Sequence, residues 1–280
     1  MFDVTITVDR YNDTKPRVFK CKVVNHKTLT PNLLTTMIGS SATFLGDLPP
    51  QYNIRYQVTV NPQDSTPIVF NNLSGSSGAA ELSNEISNVV RLLMNNPFKI
   101  VPMKSIDVKM EIASKDITAH LWSVEVSNTK VKAGDIIDVS AVLETVLEPK
   151  RNFDFQVKVP QYLPNGNYTL AVCGTTEYMR FLNQAAPYRF MTQNFEGLNA
   201  AIKELLGQPR DKLYCLFILP PSGIVLEKAQ LSDLPQTKAA VLLDSRRTLT
   251  AQPYQNWTES SLRTGLLTSD RKNIQITVEN

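Results

Sequence analysis

Histidine and cysteine are scarce in this chain. Among 280 residues there are two histidines, His26 and His120, and three cysteines, Cys21, Cys173 and Cys215. The scarcity excludes much chemistry. A Ser-His-Asp or Cys-His arrangement needs a histidine poised as base beside a nucleophile. His26 falls in a polar turn and His120 enters a strand, neither at a recognisable spacing from a nucleophile. No CxxC or HxxxH pair offers zinc its usual ligand spacing. Three cysteines do not build a disulfide framework. Each lies inside or at the end of an apolar strand pattern and reads as a small buried hydrophobe, with one bridge plus one free thiol left open for an exported chain. No run approaches the ~20 apolar residues that span a bilayer. With 29 basic and 26 acidic residues the net charge is +3, which gives no electrostatic reason to expect nucleic acid or an anionic membrane.

Glycine-rich chemistry is missing too. Gly75-Ser76-Ser77-Gly78 precedes a helix but lacks the lysine and glycine spacing of a phosphate loop, and reads as a flexible linker. Ser222, in Pro220-Pro221-Ser222-Gly223, follows an apolar strand without the GxSxG of a nucleophile elbow, so a tight turn is expected. There is no internal repeat.

What is present is strand. In Val131–Val172, Ile137, Val139, Ala141 and Leu143 alternate with more polar residues; so do Phe153, Phe155, Val157 and Val159, then Tyr168, Leu170 and Val172. Such period-2 alternation puts one face on a core and the other in water. Ala133-Gly134-Asp135 and Pro164-Asn165-Gly166-Asn167 supply the turns. With Ile106–Ile112 and Leu121–Val126 ahead of them, these strands predict an immunoglobulin-like β-sandwich over residues 105–174.

The flanks mix strand and helix. Over residues 1–104, Val4, Ile6 and Val8 alternate, as do Phe19, Cys21 and Val23, and Tyr52 through Val60. A helix is predicted from Thr30 as N-cap with Pro31 at the first helical position. A second runs from about Ala80 to Asn95, striped by Leu82, Ile86, Val89, Val90 and Leu93. Over residues 175–280, Asn194 caps a helix that ends at Gly207, with left-handed geometry expected there. Lys212–Leu219, apolar on both faces, predicts a central strand. Ala239–Leu243 fits helix or strand, and Ile274, Ile276 and Val278 close the chain as a strand. The fold class expected is therefore α+β and multi-domain: a central immunoglobulin-like β-sandwich flanked by two mixed α/β segments, 1–104 and 175–280.

Weaker signals have ordinary readings. Glu81 and Glu85 share a helix face and read as solvated. The pairs Arg246-Arg247 and Arg271-Lys272 read as loop residues. Four glycosylation sequons, at Asn12, Asn72, Asn167 and Asn256, act only in a secretory host. Tyr162, Tyr178, Tyr188, Tyr254 and Trp257 fall in loop-like segments and are the candidate binding anchors. No catalytic residue, metal ligand or cofactor site is assigned.

Four stretches carry a resemblance. VRLLMNNPF (Val90–Phe98) precedes the strand Ile106–Ile112; VKAGD (Val131–Asp135) and LPNGNYTLAV (Leu163–Val172) follow; LYCLFILPP (Leu213–Pro221) comes last. This order, from about Phe19 to the end, resembles the non-catalytic C-terminal region of large bacterial proteins with a SpoIVB-type serine peptidase domain. The resemblance implies an exported or envelope-associated bacterial parent with a peptidase domain upstream of Met1. That family's Gly-Met-Ser-Gly-Ser-Pro type motif does not occur here, so no catalytic residue carries over. No signal peptide precedes the first strand, and a cytoplasmic chain is the other reading of that start. The expected function is a non-enzymatic accessory region that positions substrate, regulates the peptidase or docks a protein or peptide partner. Alternatives are a stand-alone cell-envelope protein- or glycan-binding module, or a hydrolase assembled from distant Ser or Asp residues.

Overall fold

The structure, a computed structural model, describes residues 1–280 except 45, 76–77, 147, 227–228, 232–237, 239–241, 243–250 and 280. Ala239–Leu243, apart from Leu242, and the pair Arg246-Arg247 thus lie outside the described residues. Among the described residues the fold is mixed α/β with four α-helices and several sheets. The chain forms two compact units. Unit 1 is Met1–Ile117 with Thr192–Arg210, and unit 2 is Thr118–Met191 with Asp211–Asn280.

Unit 1 contains β1 (Phe2–Arg10), β2 (Arg17–Val23), α1 (Leu29–Thr43), β3 (Asn53–Pro62), β4 (Ile68–Ser74), α2 (Gly78–Met94) and β5 (Met103–Ala113). A later helix, α4 (Phe195–Leu206), belongs here as well. The strand order is β2-β1-β5-β3-β4. Among its described strands only β1 and β5 run parallel, with Val4 opposite Ile106 and Ile6 opposite Val108. Alternation sets the faces. Val4, Ile6, Val8, Tyr56, Val58, Val108 and Met110 are buried. Asp3, Arg55, Gln57, Lys109 and Glu111, between them in sequence, are exposed. The buried residues share one core with Leu34 and Ile38 of α1, Leu82, Ile86 and Leu93 of α2, and Phe195, Leu198, Ile202 and Leu206 of α4. Each such side chain withdrawn from water is worth ~1.5–3 kcal/mol, so α4 is part of the core and not an appendage to it. Met103–Ala113, which the sequence pattern groups with the strands after it, is the central strand of this sheet. Alternation specifies a strand's faces but not its neighbours.

Helix α1 starts two residues before the sequence pattern places it. Thr28 is the N-cap, and His26 Nδ1 accepts from the backbone N–H of Thr28 (3.3 Å) and Leu29 (3.2 Å). Thr30 is buried inside the first turn, donating its hydroxyl to Val24 O at 2.5 Å. An imidazole thus takes two backbone donors at the start of the helix. In α4, by contrast, Asn194 Oδ1 accepts from Gly197 N at 2.7 Å, as its type predicts. Gly207 departs from expectation: its φ of −75° is right-handed. Its place is explained by space, because a Cβ there would lie 2.8 Å from Lys203 O.

Unit 2 contains β6 (Ala119–Val126), β7 (Lys130–Val131), β8 (Ile136–Thr145), β9 (Arg151–Lys158), β10 (Gly166–Gly174), α3 (Thr175–Ala185) and a short 3-10 turn, Pro187–Phe190. After the excursion to unit 1 come β11 (Lys212–Ile218), β12 (Ile224–Leu226), β13 (Ala229–Leu231), β14 (Ala251–Pro253), β15 (Trp257–Arg263) and β16 (Arg271–Val278). The sheets are β6-β8-β9, β15-β11-β10-β16-β7 and β13-β12-β14. Leu121, Val139, Leu143, Phe155 and Val157 of the first share a core with Leu170, Val172, Cys215, Phe217 and Ile276 of the second. β10 therefore does not continue the β8-β9 meander. Pro160 and Pro164, with no N–H for a ladder, stand between β9 and β10.

The opposite face of β10 and β11 offers Ala171, Cys173, Tyr214 and Leu216, buried together with Tyr178, Phe181 and Leu182 of α3. Two covered faces explain why β11 is without charge from Leu213 to Ile218. The strand-to-helix junction is Gly174, where a Cβ would fall 1.8 Å from the backbone oxygen of Thr268. No L side chain fits there.

Candidate binding surface

The helix-covered face of unit 2 gathers most of the aromatic anchors. α3 carries Tyr178 and Phe181, β11 carries Tyr214, and β15 carries Trp257 and Glu259. The Tyr178 and Tyr214 rings stack 3.9 Å apart at 1° to each other, and Phe181 meets Trp257 edge-on at 5.3 Å. Glu259 joins the two halves: its Oε2 accepts from Tyr178 Oη at 3.0 Å and from Trp257 Nε1 at 3.1 Å. Close by, Gln230 Nε2 donates to Tyr188 Oη at 2.9 Å.

The electrostatics favour neutral groups. Burial, then the neighbouring Glu259 charge, pushes the Tyr178 phenol well above its ordinary range. Burial pushes Tyr214 up to about 12. Cys173 and Cys215 are likewise pushed up to about 12 by burial, so both are protonated thiols near neutral pH. They face different cores, Cys173 towards α3 and Cys215 towards the β6-β8-β9 sheet. All three cysteines are free thiols.

The five anchors named from sequence separate into three kinds. Tyr178 and Tyr188 are buried inside the cluster, Tyr254 and Trp257 pack partly buried against it, and Tyr162 stands apart at 96% exposure. Of the five, Trp257, Tyr254 and Tyr162 are the ones with surface open to solvent. Tyr214 and Glu259 were not singled out by sequence. Tyr214 is hidden in an apolar strand run, and Glu259 has no signal beyond its place two residues after Trp257.

Other candidates resolve into partners as well. Glu81 and Glu85 are not simply solvated. Arg210 Nη1 donates to Glu81 Oε2 at 2.9 Å, Arg210 Nη2 to Glu85 Oε1 at 3.3 Å, and the Tyr56 hydroxyl also donates to Glu85. Burial, then Glu85, holds the Tyr56 phenol far above its usual range. His120 Nδ1 lies 2.7 Å from Asp270 Oδ2, which also accepts from Leu121 N at 2.7 Å. That pair ties β6 to the approach to β16. Ser222 sits in the turn before β12, its N–H bonded to Tyr254 O at 3.0 Å. Asn72 is buried and its side chain is engaged with Leu73, Glu85 and Arg210, so its sequon is closed in the folded chain. Among the described residues no cluster of His, Cys, Asp and Glu is suited to a metal ion, and no helix is long and apolar enough to cross a membrane.

Compared with known proteins, the chain matches no family model, no curated protein and no solved structure.

Proposed function

We propose that this chain is a non-enzymatic docking or accessory region that acts by surface complementarity. The observation that carries the reading is the cluster around Glu259. Its phenol and indole donors are committed to one carboxylate and its thiol is protonated, so the cluster presents a rigid shape and not a reactive group. Trp257 and Tyr254 at its rim are the kind of residue that dominates recognition surfaces. The resemblance to the region beside SpoIVB-type peptidase domains makes such a domain the proposed partner, in an exported or envelope-associated bacterial protein. That step rests on residue order alone. The finer reading of residues 105–174 as an immunoglobulin-like sandwich is supported, from β6 onward, by the antiparallel β6-β8-β9 meander and by its core shared with β10. A stand-alone envelope module for protein or glycan is the second reading, favoured by the half-buried Trp257 beside an exposed carboxylate.

A photo-crosslinking residue at Ser261, exposed and two residues beyond Glu259 on β15, tests docking in the source cells. One adduct of fixed mass from Ser261, absent from a control at exposed Arg91, is expected. Equal adducts at both positions, or labelling of the purified chain by a fluorophosphonate serine-hydrolase probe, overturns the proposal.

A further inference from the structure

β2 is an edge strand: its seven residues pair with β1 and, among the described residues, with no other strand. The opposite edge of the sheet, β4, packs against α4, which also bonds to the loop before β4 through Asn199 Nδ2 to Ser65 Oγ (3.2 Å) and Lys203 Nζ to Thr66 Oγ1 (3.4 Å). β2 meets α1 through Phe19 and Phe44, but among the described residues no helix bonds to it in that way. Arg17, Val18, Lys20 and Lys22 are exposed along it.

Its charge is one-sided. From Thr14 to Gly46 there is no Asp or Glu, while Lys15, Arg17, Lys20, Lys22 and Lys27 supply five cations. That local charge exceeds the +3 of the whole chain. Arg17 Nε has Asp13 at 3.6 Å, and Asp3 stands opposite Lys22 in the ladder. Among the described residues Lys15, Lys20, Lys22 and Lys27 have no carboxylate within salt-bridge distance. Beside the strand, Asp3, Thr5, Lys20 and Lys22 line a depression of about 420 Å³. Apolar anchors are present as well: Val18 is 54% exposed, and Phe44 is 63% exposed with its ring edge-on to Phe19 at 5.3 Å.

Lysines on a sheet edge repel a second copy of the same edge. The same lysines attract an acidic strand. We propose that β2 is the docking edge for an extended acidic peptide, added as a further strand. Backbone hydrogen bonds along the edge supply affinity; Lys20 and Lys22 supply selectivity for acidic side chains; Phe44, beside Phe19 on the opposite face, receives an apolar one. This rests on the docking reading above and names the edge and the chemistry of the partner.

The test uses the full chain and a fluorescein-labelled peptide, Glu-Val-Glu-Val-Asp-Val-Glu, read by fluorescence polarisation at low salt. Controls are the same peptide with lysine for each acid, and the acidic peptide N-methylated at alternate residues to remove strand hydrogen bonds. The acidic peptide is expected to bind at least tenfold more tightly than either control. K20E/K22E is expected to lose at least tenfold in affinity with circular dichroism and melting temperature unchanged. Hydrogen exchange is expected to slow at residues 17–23 and on no other strand. Undiminished binding of the N-methylated peptide overturns strand addition. Equal or tighter binding of a single-stranded DNA 12-mer makes the patch a phosphate surface and overturns the peptide. A dimer by light scattering, with residues 17–23 protected in the absence of peptide, gives the edge to a second copy and overturns it too. Loss of peptide binding with the Ser261 adduct intact removes this edge alone. Loss of that adduct, or labelling by the hydrolase probe, removes the docking reading itself.

Discussion

Arg210 closes on Glu81, 129 residues away in sequence, at 2.9 Å, and the same guanidinium reaches Glu85 at 3.3 Å. Its Nη1 also donates to Ser74 Oγ at 3.0 Å, and its backbone N–H to Asn72 Oδ1 at 3.1 Å. The end of the second unit 1 stretch is thereby tied to β4 and α2. Glu85 is the better shielded acid, with 13% of its side chain exposed against 43% for Glu81.

Arg210→Ala should therefore cost about 2 kcal/mol, discounted from a fully buried pair because Glu81 is open to water. Urea unfolding gives the value. Glu85→Ala should cost more than Glu81→Ala, since it also strands the Tyr56 hydroxyl. The reverse order would show that the exposed acid carries the network.

A chain ending at Ile117 should lack a fixed core. It retains the five-stranded sheet but loses Phe195, Leu198, Ile202 and Leu206. Near-UV circular dichroism and side-chain NMR dispersion should both collapse. Joining residues 192–210 back through a short glycine-serine linker should restore them. A well-dispersed spectrum from residues 1–117 alone would refute the core role of α4.

Gly174→Ala should destabilise unit 2 by roughly 3 kcal/mol or prevent its folding, because the clash is with backbone that cannot turn aside. Gly39→Ala, where a Cβ meets nothing within 4 Å, is the control and should be neutral or stabilising. Denaturation midpoints of the two variants decide it.

Arg10 is buried, yet among the described residues its Nε and Nη1 have no hydrogen-bond partner and its Nη2 reaches only Asp47 O, at 3.4 Å. An uncompensated buried cation opposes folding. Arg10→Met should raise stability by about 1 kcal/mol in urea titration, and a loss of that size would show a counter-charge at work.

Alkaline pH should unfold unit 2 early. Cys173 and Cys215 have folded values of about 12 against 9.0 for the free group, and Tyr214 about 12 against 10.0. Raised values mean that the native state holds protons the unfolded chain has released. Stability is therefore intact below pH 9 and falls as pH rises through 12. Melting temperature should drop steadily from pH 9 to 11, and Cys173→Ala should flatten part of the slope. A constant melting temperature across that window would contradict the cause assigned.

Alternation along β1, β3, β5, β8 and β9, and the apolar stripes of α2 and α4, were legible in the chain, because a strand or helix must turn its apolar side inward wherever it is placed. The capping role of Asn194 was legible for the same local reason. What surrounds those faces was not. Met103–Ala113 sits between β1 and β3, β10 leaves its meander for β11 and β16, and Thr192–Arg210 returns to the first unit. These are choices of partner, and partners lie beyond the reach of any local pattern. Glu81 and Glu85 look like a wet helix face until Arg210 arrives, and Glu259 is one acid among many until Tyr178 and Trp257 converge on it. Sequence by itself determined which side of each element is buried. Tertiary structure alone decided what lies against it, because pairing and charge compensation are energies of the assembled chain and not of its segments.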